Sequence, residues 1–452
     1  MRNRQTAILP YIFYTLSVLV FAGCSQQQTL RGVFGQQTPY EKYAAKLKDA
    51  KLDETALGKM WLEAGQHALQ DSISITLPFK ETGYFAAETP RALGYRIDAK
   101  RGQRLVVNLA LKAAEQPAVF MDVFEAGPNT PNHVATTDSS AQRLIYEFTE
   151  DQEHILRVQP ELLRSAQYTL TVTAEPTLAF PVAGKSSRNI ASIWGDPRDA
   201  GARRHEGIDI FAKRGTPALA SAAGTVRRVD TTPRGGKVVW LTDADRRQSL
   251  YYAHLDSQLV QEGQRVQPGD TLGLIGNTGN ARTTSPHLHF GIYRYGQGAT
   301  NPYPYVHQAA NKAPAVTIDA ELIGNWVRIS PKAANIRLMP STNSAVYQSL
   351  PRHTPLKVTG GTSSWYRVAL PDGQEAYVAS SVVEPASKAI KYEKLSLDMD
   401  LLDDATPKAA AKQSLPAGSS VAILGKYSAF ELVRSANGEL GWINQRLSLS
   451  LK

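Results

Sequence analysis

The sequence predicts a mainly β, multidomain protein, and three observations lead to this fold class. A chain of 452 residues is too long for one hydrophobic core, so two to four domains are expected. Over long stretches apolar and polar residues alternate with a period of two, which is typical of half-buried strands. Turn residues separate these stretches at short intervals, in the rhythm of antiparallel β domains.

Composition and charge narrow the class of protein further. Hydrophobic residues make up 42% and charged residues 20% of the chain, which excludes bulk disorder. Lys and Arg number 50 against 41 Asp and Glu, so the net charge is +9 and favours anionic surroundings such as wall polymers or lipid headgroups. The sequence has no basic run interleaved with aromatics, so nucleic acid is not an expected partner.

Residues 1–23 are predicted to be a secretory signal. Arg2 and Arg4 precede a short apolar stretch, Ala7–Phe21, which is too short and wrongly flanked for a stable membrane span. Small residues then lead into Cys24, the single cysteine of the chain. An ordinary signal peptide with an incidental cysteine is the alternative, but a lone cysteine here has no disulfide partner to explain it.

The segment Phe21–Cys24 resembles the lipobox of bacterial lipoproteins, although Leu is usual where Phe21 stands. The resemblance implies lipid attachment at Cys24 and therefore a membrane-anchored protein of the cell envelope. Ser25 after the cysteine favours the periplasmic face of the outer membrane if the host is Gram-negative.

The first part of the mature chain is predicted to contain two structural units. Residues 24–71 form a tether followed by a helical segment, because apolar residues recur at helical spacing in Tyr40–Leu69. Residues 72–178 form a β-sandwich, since the period there switches to two. Its predicted strands include Ala92–Ile97, Leu105–Leu109, Val119–Phe124 and Tyr168–Val172.

An internal repeat marks the end of the chain. Five residues recur as like residues at one fixed offset, which indicates a duplicated module. The pairs are Leu350 with Leu415, Val358 with Ile423, Trp365 with Phe430, Gly373 with Gly438 and Tyr377 with Trp442.

The first copy carries segments that resemble the bacterial SH3-like domain, namely Asn335–Pro340, Ser364–Val368 and Asp372–Val378. Ala376 departs from the Gly that is common there, and the second copy lacks the Asn-x-Arg segment. The resemblance implies two small barrels, at residues 318–386 and 390–452, that bind wall peptides. The alternative is that they are spacers or brace the neighbouring domain.

Between the sandwich and the barrels, residues 179–308 hold three histidine-containing segments, His205–Asp209, Tyr252–Leu255 and His287–Phe290. In an extended strand His287 and His289 point to the same face. Zinc accepts imidazole nitrogen and carboxylate oxygen, and a catalytic site keeps three protein ligands with one position for water. Two histidines and one carboxylate fit that requirement.

The segment His205–Asp209 allows two interpretations. On a helix, His205 and Asp209 would be ligands one turn apart with Glu206 as the general base. A strand is favoured, because Gly207 lies inside the segment and Ile208 and the residues after it suit extended structure. On a strand His205 and Asp209 again share one face.

These segments resemble the lysostaphin/LytM-type zinc metalloendopeptidases. The resemblance extends in order and spacing over some 120 residues through Gly215-Thr216-Pro217, Ala220-x-x-x-Gly224-x-Val226, Val266-x-x-Gly269-Asp270 and Gly276-x-Thr278-Gly279. It implies an antiparallel sheet with the site in a groove, and Zn²⁺ held by His205, Asp209 and His289. It also implies that His254 and His287 act on water and the transition state. The loop 280–285 departs from the shorter loop of the family, which bears on substrate preference.

The function expected from these features is hydrolysis of peptide cross-links in bacterial peptidoglycan by a lipid-anchored zinc endopeptidase. Both a D-Ala–diaminopimelate cross-link and a glycine bridge remain open as the bond cleaved. One alternative is a non-catalytic wall-binding or amidase-activating protein, against which stands the presence of all five site residues. Another is a zinc hydrolase of secreted protein, against which stand the barrels and the anchor.

Overall fold

A computed structural model of the chain describes residues 37–128, 130–308, 312–371 and 373–445. The fold class predicted from the sequence is confirmed: the chain is mainly β and multidomain. The predicted signal segment and Cys24 lie outside the described residues. Among the residues described, no helix has the length and apolar character needed to cross a membrane.

Two helices open the described chain, α1 (Pro39–Asp49) and α2 (Ala56–Gln70). Thr38 and Glu41 form a capping box at the start of α1, which satisfies backbone N–H groups that lack helical partners. Trp61 of α2 is 1% exposed and packs with Leu47 and Phe120 against the sandwich. Its indole Nε1 donates to the carbonyl of Pro160 at 2.8 Å. The helices therefore cover the sandwich rather than standing apart from it.

Nine strands form the sandwich around one apolar core. One sheet has the order β1-β3-β8-β5-β6, and the other contains the order β2-β9-β4-β7. The strands are β1 (Ile73–Ile75), β2 (Phe79–Phe85), β3 (Leu93–Ala99), β4 (Gln103–Lys112), β5 (Val119–Glu125), β6 (Asn132–Thr136), β7 (Arg143–Glu147), β8 (Gln152–Pro160) and β9 (Ala166–Pro176).

A ten-stranded, antiparallel sheet follows, with the main order β10-β13-β20-β17-β16-β15-β18. Its strands and one short helix are β10 (Ile190–Ser192), β13 (Ile208–Phe211), β14 (Pro217–Leu219), β15 (Gly224–Thr232), β16 (Gly236–Asp243), β17 (Gln248–Gln258), β18 (Arg265–Val266), β19 (Thr271–Ile275), β20 (His287–Arg294), β21 (Gly298–Thr300) and α3 (Tyr303–Val306). A separate hairpin consists of β11 (Pro197–Arg198) and β12 (Arg203–Arg204).

The two faces of this sheet differ in what they carry. Ile208, Val239, Tyr252 and Phe290 lie opposite one another across four strands and are 0% exposed, so this face forms the domain core. Residues one position away point to the other face because side chains alternate along a strand. Asp209 and His289 are on that second face.

The C-terminal repeat in the sequence is also a repeat of strands. The first barrel contains β22 (Trp326–Ile329), β23 (Ala333–Arg337), β24 (Val346–Pro351), β25 (Pro355–Thr362), β26 (Trp365–Ala369), β27 (Glu375–Ala379) and β28 (Val383–Pro385). The second contains β29 (Lys391–Lys394), β30 (Met399–Leu402), β31 (Ala411–Leu415), β32 (Ser420–Tyr427), β33 (Phe430–Arg434) and β34 (Leu440–Asn444). An irregularity in strand register also recurs at the equivalent place, between Val358 and Gly360 in β25 and between Ile423 and Gly425 in β32.

The first barrel is joined to the sandwich by strand pairing. Thr82 and Gly83 of β2 pair with Gly361 and Gly360 of β25, so the sandwich sheet continues into the barrel. Gly360 permits this approach, since a Cβ there would lie 2.9 Å from the carbonyl oxygen of Thr82. One edge of the barrel is thereby occupied by another part of the same chain, as expected for a barrel that braces its neighbour.

Candidate metal centre and groove

Strand pairing brings the candidate metal ligands together. Asp209 of β13 lies directly opposite His289 of β20, and opposite residues of an antiparallel pair share one face. His205 belongs to the segment before β13, because the strand begins at Ile208 rather than at His205. Backbone hydrogen bonds between His205 and the turn at Gly195–Asp196 hold this segment in place.

Three donor atoms converge on the groove face. His205 Nε2 lies 3.0 Å from Asp209 Oδ1 and 2.9 Å from His289 Nδ1, and Asp209 Oδ1 lies 3.0 Å from His289 Nδ1. His205 and Asp209 are buried, and His289 is partly exposed to the groove. Burial alone would raise the pKa of Asp209, but the adjacent imidazoles of His205 and His289 hold it well below its usual range. Burial also lowers the pKa of His289.

Neighbouring groups orient the histidine at position 205. Its Nδ1 donates to the carbonyl oxygen of Ile193 at 2.9 Å, which leaves Nε2 as the acceptor atom that faces Asp209. The Ser192 hydroxyl lies 3.2 Å from the same Nδ1 and donates to Asp196 Oδ2 at 2.8 Å. Such partners fix the tautomer and the ring orientation of a metal-binding histidine.

Arg198 and Gly207 position the other two donors. Arg198 Nη2 donates to Asp209 Oδ2 at 2.6 Å and to the Ser192 hydroxyl at 2.7 Å, so the second carboxylate oxygen of Asp209 is held away from the convergence point. A Cβ at Gly207 would lie 2.6 Å from His289 Cε1 and 2.7 Å from the carbonyl oxygen of Phe290. The His289 ring can therefore occupy its place because residue 207 has no side chain.

The two remaining site histidines lie beside this group. The ring centroids of His254 and His287 are 5.0 Å apart, and those of His254 and His289 are 5.9 Å apart. Nδ1 of His254 donates to the Thr278 carbonyl at 2.9 Å, and Nδ1 of His287 donates to the Ser285 carbonyl at 2.8 Å. Nε2 of each ring remains as an acceptor.

His254 has an uncommon backbone conformation. Its φ is +61°, at an irregularity in the pairing of β17, and such an outlier at a non-glycine residue marks a functional or strained position. Burial and the neighbouring imidazoles of His287 and His289 lower its pKa to about 4. The His254 ring is therefore neutral near pH 7.

Two loops beside the site histidines are in close contact with each other. A Cβ at Gly236 would clash with Thr278, and Gly279 has a φ of +75° where its own Cβ would clash with Gly236. Asn280 donates its backbone N–H to the Arg234 carbonyl at 3.0 Å. The loop 280–285, which departs from the family pattern, is therefore attached at its first residue to the turn between β15 and β16.

The donor set fits a divalent metal of the zinc type. It consists of two imidazole nitrogens and one carboxylate oxygen, the set found in open catalytic zinc sites. Tetrahedral zinc with bonds of about 2.0–2.1 Å places its ligand atoms somewhat over 3 Å apart, close to the spacing seen here. Three lone pairs converging on one point also repel one another unless a proton or a cation lies between them.

The structure brings together all five residues singled out in the sequence. Sequence reasoning missed Arg198, Ser192 and Thr278, which orient those five. Arg198 and Ser192 lie in short, non-periodic segments before β13 with no recognisable ligand spacing. The only sequence signal for Arg198 was its position eleven residues before Asp209, a candidate metal ligand.

Comparison with protein families agrees with this geometry. Residues 203–302 match the sequence model of peptidase family M23, and residues 332–384 match that of the bacterial SH3 domain. The chain contains an M23 peptidase domain. All five groove residues of this domain lie inside the matched range.

Similar proteins match part of this chain over part of their own length. The L-Ala–D-Glu endopeptidase of Bacillus subtilis is 35% identical over 140 residues, which are 28% of this chain and 42% of that protein. The peptidoglycan DD-endopeptidase ShyC of Vibrio cholerae is 37% identical over 91 residues, 20% of each chain. The chain thus spans less than half the length of these curated relatives.

Solved structures are also similar to part of the chain. The structure of LytU is 35% identical, with 26% of this chain and 83% of that chain covered and a TM-score of 0.25. The catalytic domain of lysostaphin from Staphylococcus simulans is 28% identical, with 26% and 92% covered and a TM-score of 0.24.

Proposed function

We propose that this protein is a zinc-dependent endopeptidase that hydrolyses the peptide cross-links of bacterial peptidoglycan. The observation that carries the proposal is the convergence of His205 Nε2, Asp209 Oδ1 and His289 Nδ1 within 3.0 Å of one another beside two oriented histidines. Two of the similar proteins are named as peptidoglycan or L-Ala–D-Glu endopeptidases, which supports the same class of substrate.

In this proposal His205, Asp209 and His289 hold the zinc ion. When bound, zinc supplies Lewis acidity to the scissile carbonyl and to a water molecule. Arg198 keeps Asp209 in a one-oxygen arrangement, since it occupies Oδ2 through its own hydrogen bond. The Ile193 carbonyl keeps the His205 proton on Nδ1, so that Nε2 remains available.

His254 and His287 handle protons in the proposed reaction. Each has its Nδ1–H fixed by a backbone carbonyl, so Nε2 of a neutral ring can accept a proton from the attacking water and return it to the leaving amine. In its protonated form the same ring can donate a hydrogen bond to the developing oxyanion. The stacking of His287 on Phe211, with centroids 5.0 Å apart, holds its plane.

The envelope location belongs to the same proposal. Cys24 is the site of lipid attachment, and the chain acts on the wall from a membrane surface. The bacterial SH3 domain supports a wall-associated role, and the uncharacterised lipoprotein YgeR of Escherichia coli is 38% identical over 109 residues.

Digestion of purified, cross-linked peptidoglycan tests the function. The expected result is conversion of cross-linked to uncrosslinked muropeptides, with the new termini identified by mass spectrometry. A His289→Ala variant is the control and should release nothing. Intact cross-links after digestion by a zinc-loaded, folded protein would contradict the proposal.

A further inference from the structure

The groove face carries three aromatic residues that the proposed chemistry does not use. Trp240 lies directly opposite Tyr251 across β16 and β17, with ring centroids 4.4 Å apart. Tyr293 of β20 lies 5.1 Å from Trp240 and 6.2 Å from Tyr251. These three rings are here called the aromatic platform. The platform borders the metal-ligand group at Tyr251, whose ring centroid lies 5.9 Å from that of His289.

The platform is not needed to form the domain core. The core is on the opposite face of the same strands, where Tyr252, Phe290 and Val239 are 0% exposed. The platform rings are partly exposed, on a face that an antiparallel sheet ordinarily fills with polar side chains. Exposed apolar patches with polar groups at their rim occur at ligand-binding sites.

Polar groups surround the platform. Burial and the carboxylate of Glu206 raise the pKa of Tyr293 to about 12, and Arg234 acts on the same phenol in the opposite direction. Both Glu206 and Arg234 are exposed. Gly235 leaves room for the Tyr251 hydroxyl, since a Cβ there would collide with it. The rings are therefore neutral, apolar surfaces with a carboxylate, a guanidinium and two hydroxyls nearby.

We propose that the aromatic platform binds a pyranose unit of the glycan strand that carries the peptide being cut. A pyranose presents a face of C–H bonds, which is attracted to the electron-rich face of an aromatic ring, and its hydroxyl and N-acetyl groups need donors and acceptors at the ring edge. The inference rests on the proposed function, because it assigns the glycan part of that substrate.

The position of the platform suits this occupant. A stem peptide of one to four residues reaches at most about 14 Å when extended. The platform begins next to His289 and extends away from it through Tyr251 to Trp240. A sugar attached to the peptide in the groove can therefore reach these rings while the peptide remains at the metal ligands.

Two forms of one substrate test the proposal. Cross-linked disaccharide–peptide dimers, released from the wall by a muramidase, are compared with the same dimers after an amidase has removed the sugars. The wild-type protein should cleave the sugar-bearing dimer with a kcat/KM about tenfold higher. Trp240→Ala and, separately, Tyr293→Ala should lower kcat/KM for the sugar-bearing dimer much more than for the sugar-free dimer, so that the ratio falls towards one.

Tyr295→Ala is the matched control, because Tyr295 follows two positions after Tyr293, is 44% exposed and is outside the platform. It should leave the ratio unchanged. Equal cleavage of both dimers by the wild type, or an unchanged ratio in both platform variants, would overturn the proposal.

A binding measurement separates this proposal from the proposed function. If neither dimer is cleaved, the endopeptidase proposal fails, and titration calorimetry with the same two dimers decides on the platform. Tighter binding of the sugar-bearing dimer, weakened about tenfold by Trp240→Ala and not by Tyr295→Ala, supports a glycan subsite. Equal affinity for the two dimers overturns it.

Discussion

This protein has two clusters of buried charged groups, and the clusters differ in where their lone pairs point. One surrounds Glu81, between the sandwich and the first barrel, and the other surrounds Asp209 on the groove face. Glu81 is 0% exposed and its oxygens accept from Tyr95 and Tyr168 at 2.8 Å, from Tyr377 at 3.0 Å and from Arg367 at 3.2 Å. Both of its carboxylate oxygens are thus satisfied by fixed donors.

The Asp209 cluster is satisfied on one side only. Arg198 donates to Oδ2, whereas Oδ1 faces two imidazole nitrogens at 3.0 Å. Buried charge alone therefore does not indicate a functional site, since the Glu81 cluster has more of it and is closed. What distinguishes the site is a set of lone pairs that converge on one accessible point, where a cation can bind.

Removing a metal-ligand atom from the Asp209 cluster should have the largest effect on activity. Asp209→Ala should abolish metal retention and lower cross-link cleavage by at least about 1,000-fold, because the Lewis acid and its activated water are lost together. Metal content by mass spectrometry and muropeptide release provide the measurements. Near wild-type metal content in this variant would show that the convergence point is not the metal site.

His254→Ala separates the metal from the proton transfer. His254 is outside the three-donor group, so metal content should stay near that of the wild type while kcat/KM falls by about 10²–10⁴. His307→Ala is a suitable control, because His307 packs on Tyr303 away from the groove. Loss of metal together with activity in His254→Ala would place this residue among the ligands instead.

A substitution in the Glu81 cluster should change the free energy of unfolding rather than the catalytic activity. Glu81→Leu leaves Arg367 without the fully buried one of its two carboxylate partners and the tyrosine hydroxyls without an acceptor, so we expect a loss of about 3–5 kcal/mol. Urea unfolding of the sandwich–barrel unit measures this effect. Metal content should not change, and a loss below about 1 kcal/mol would mean that the cluster does not stabilise the interface.

The second barrel has an apolar residue where the first has the buried arginine of this interface. The equivalent of Arg367 in the repeat is Leu432, which is 1% exposed within an apolar cluster. The double variant Glu81→Leu/Arg367→Leu copies that solution and should lose less stability than the two single variants combined. It removes both charges of the pair together, whereas each single variant leaves one of them without its partner. Additive losses would show that the two groups are not coupled.

The sequence predicted the groove better than the interface, for physical reasons. Alternation in β20 places His287 and His289 on one face, and the repeat predicts two similar barrels. The predicted helices and the four predicted sandwich strands are confirmed as well. Arg367 and Glu81 are 286 positions apart, and no local pattern relates them. The positive φ of His254 also depends on pairing with distant strands.

The smallest effect is expected for a substitution of Arg198. It tests whether this arginine is the reason that only Oδ1 of Asp209 faces the imidazoles. Arg198→Gln keeps a donor but removes the charge beside Asp209 Oδ2, so metal affinity should fall about 10–100-fold, as for other groups that orient a ligand. The affinity is measured by competition with a chromogenic chelator. Arg188→Gln, at an exposed arginine ten positions earlier, is the matched control and should bind metal like the wild type. Equal metal affinity in both variants would mean that the backbone and the paired strands alone hold Asp209, and that the contrast with Glu81 does not depend on this arginine.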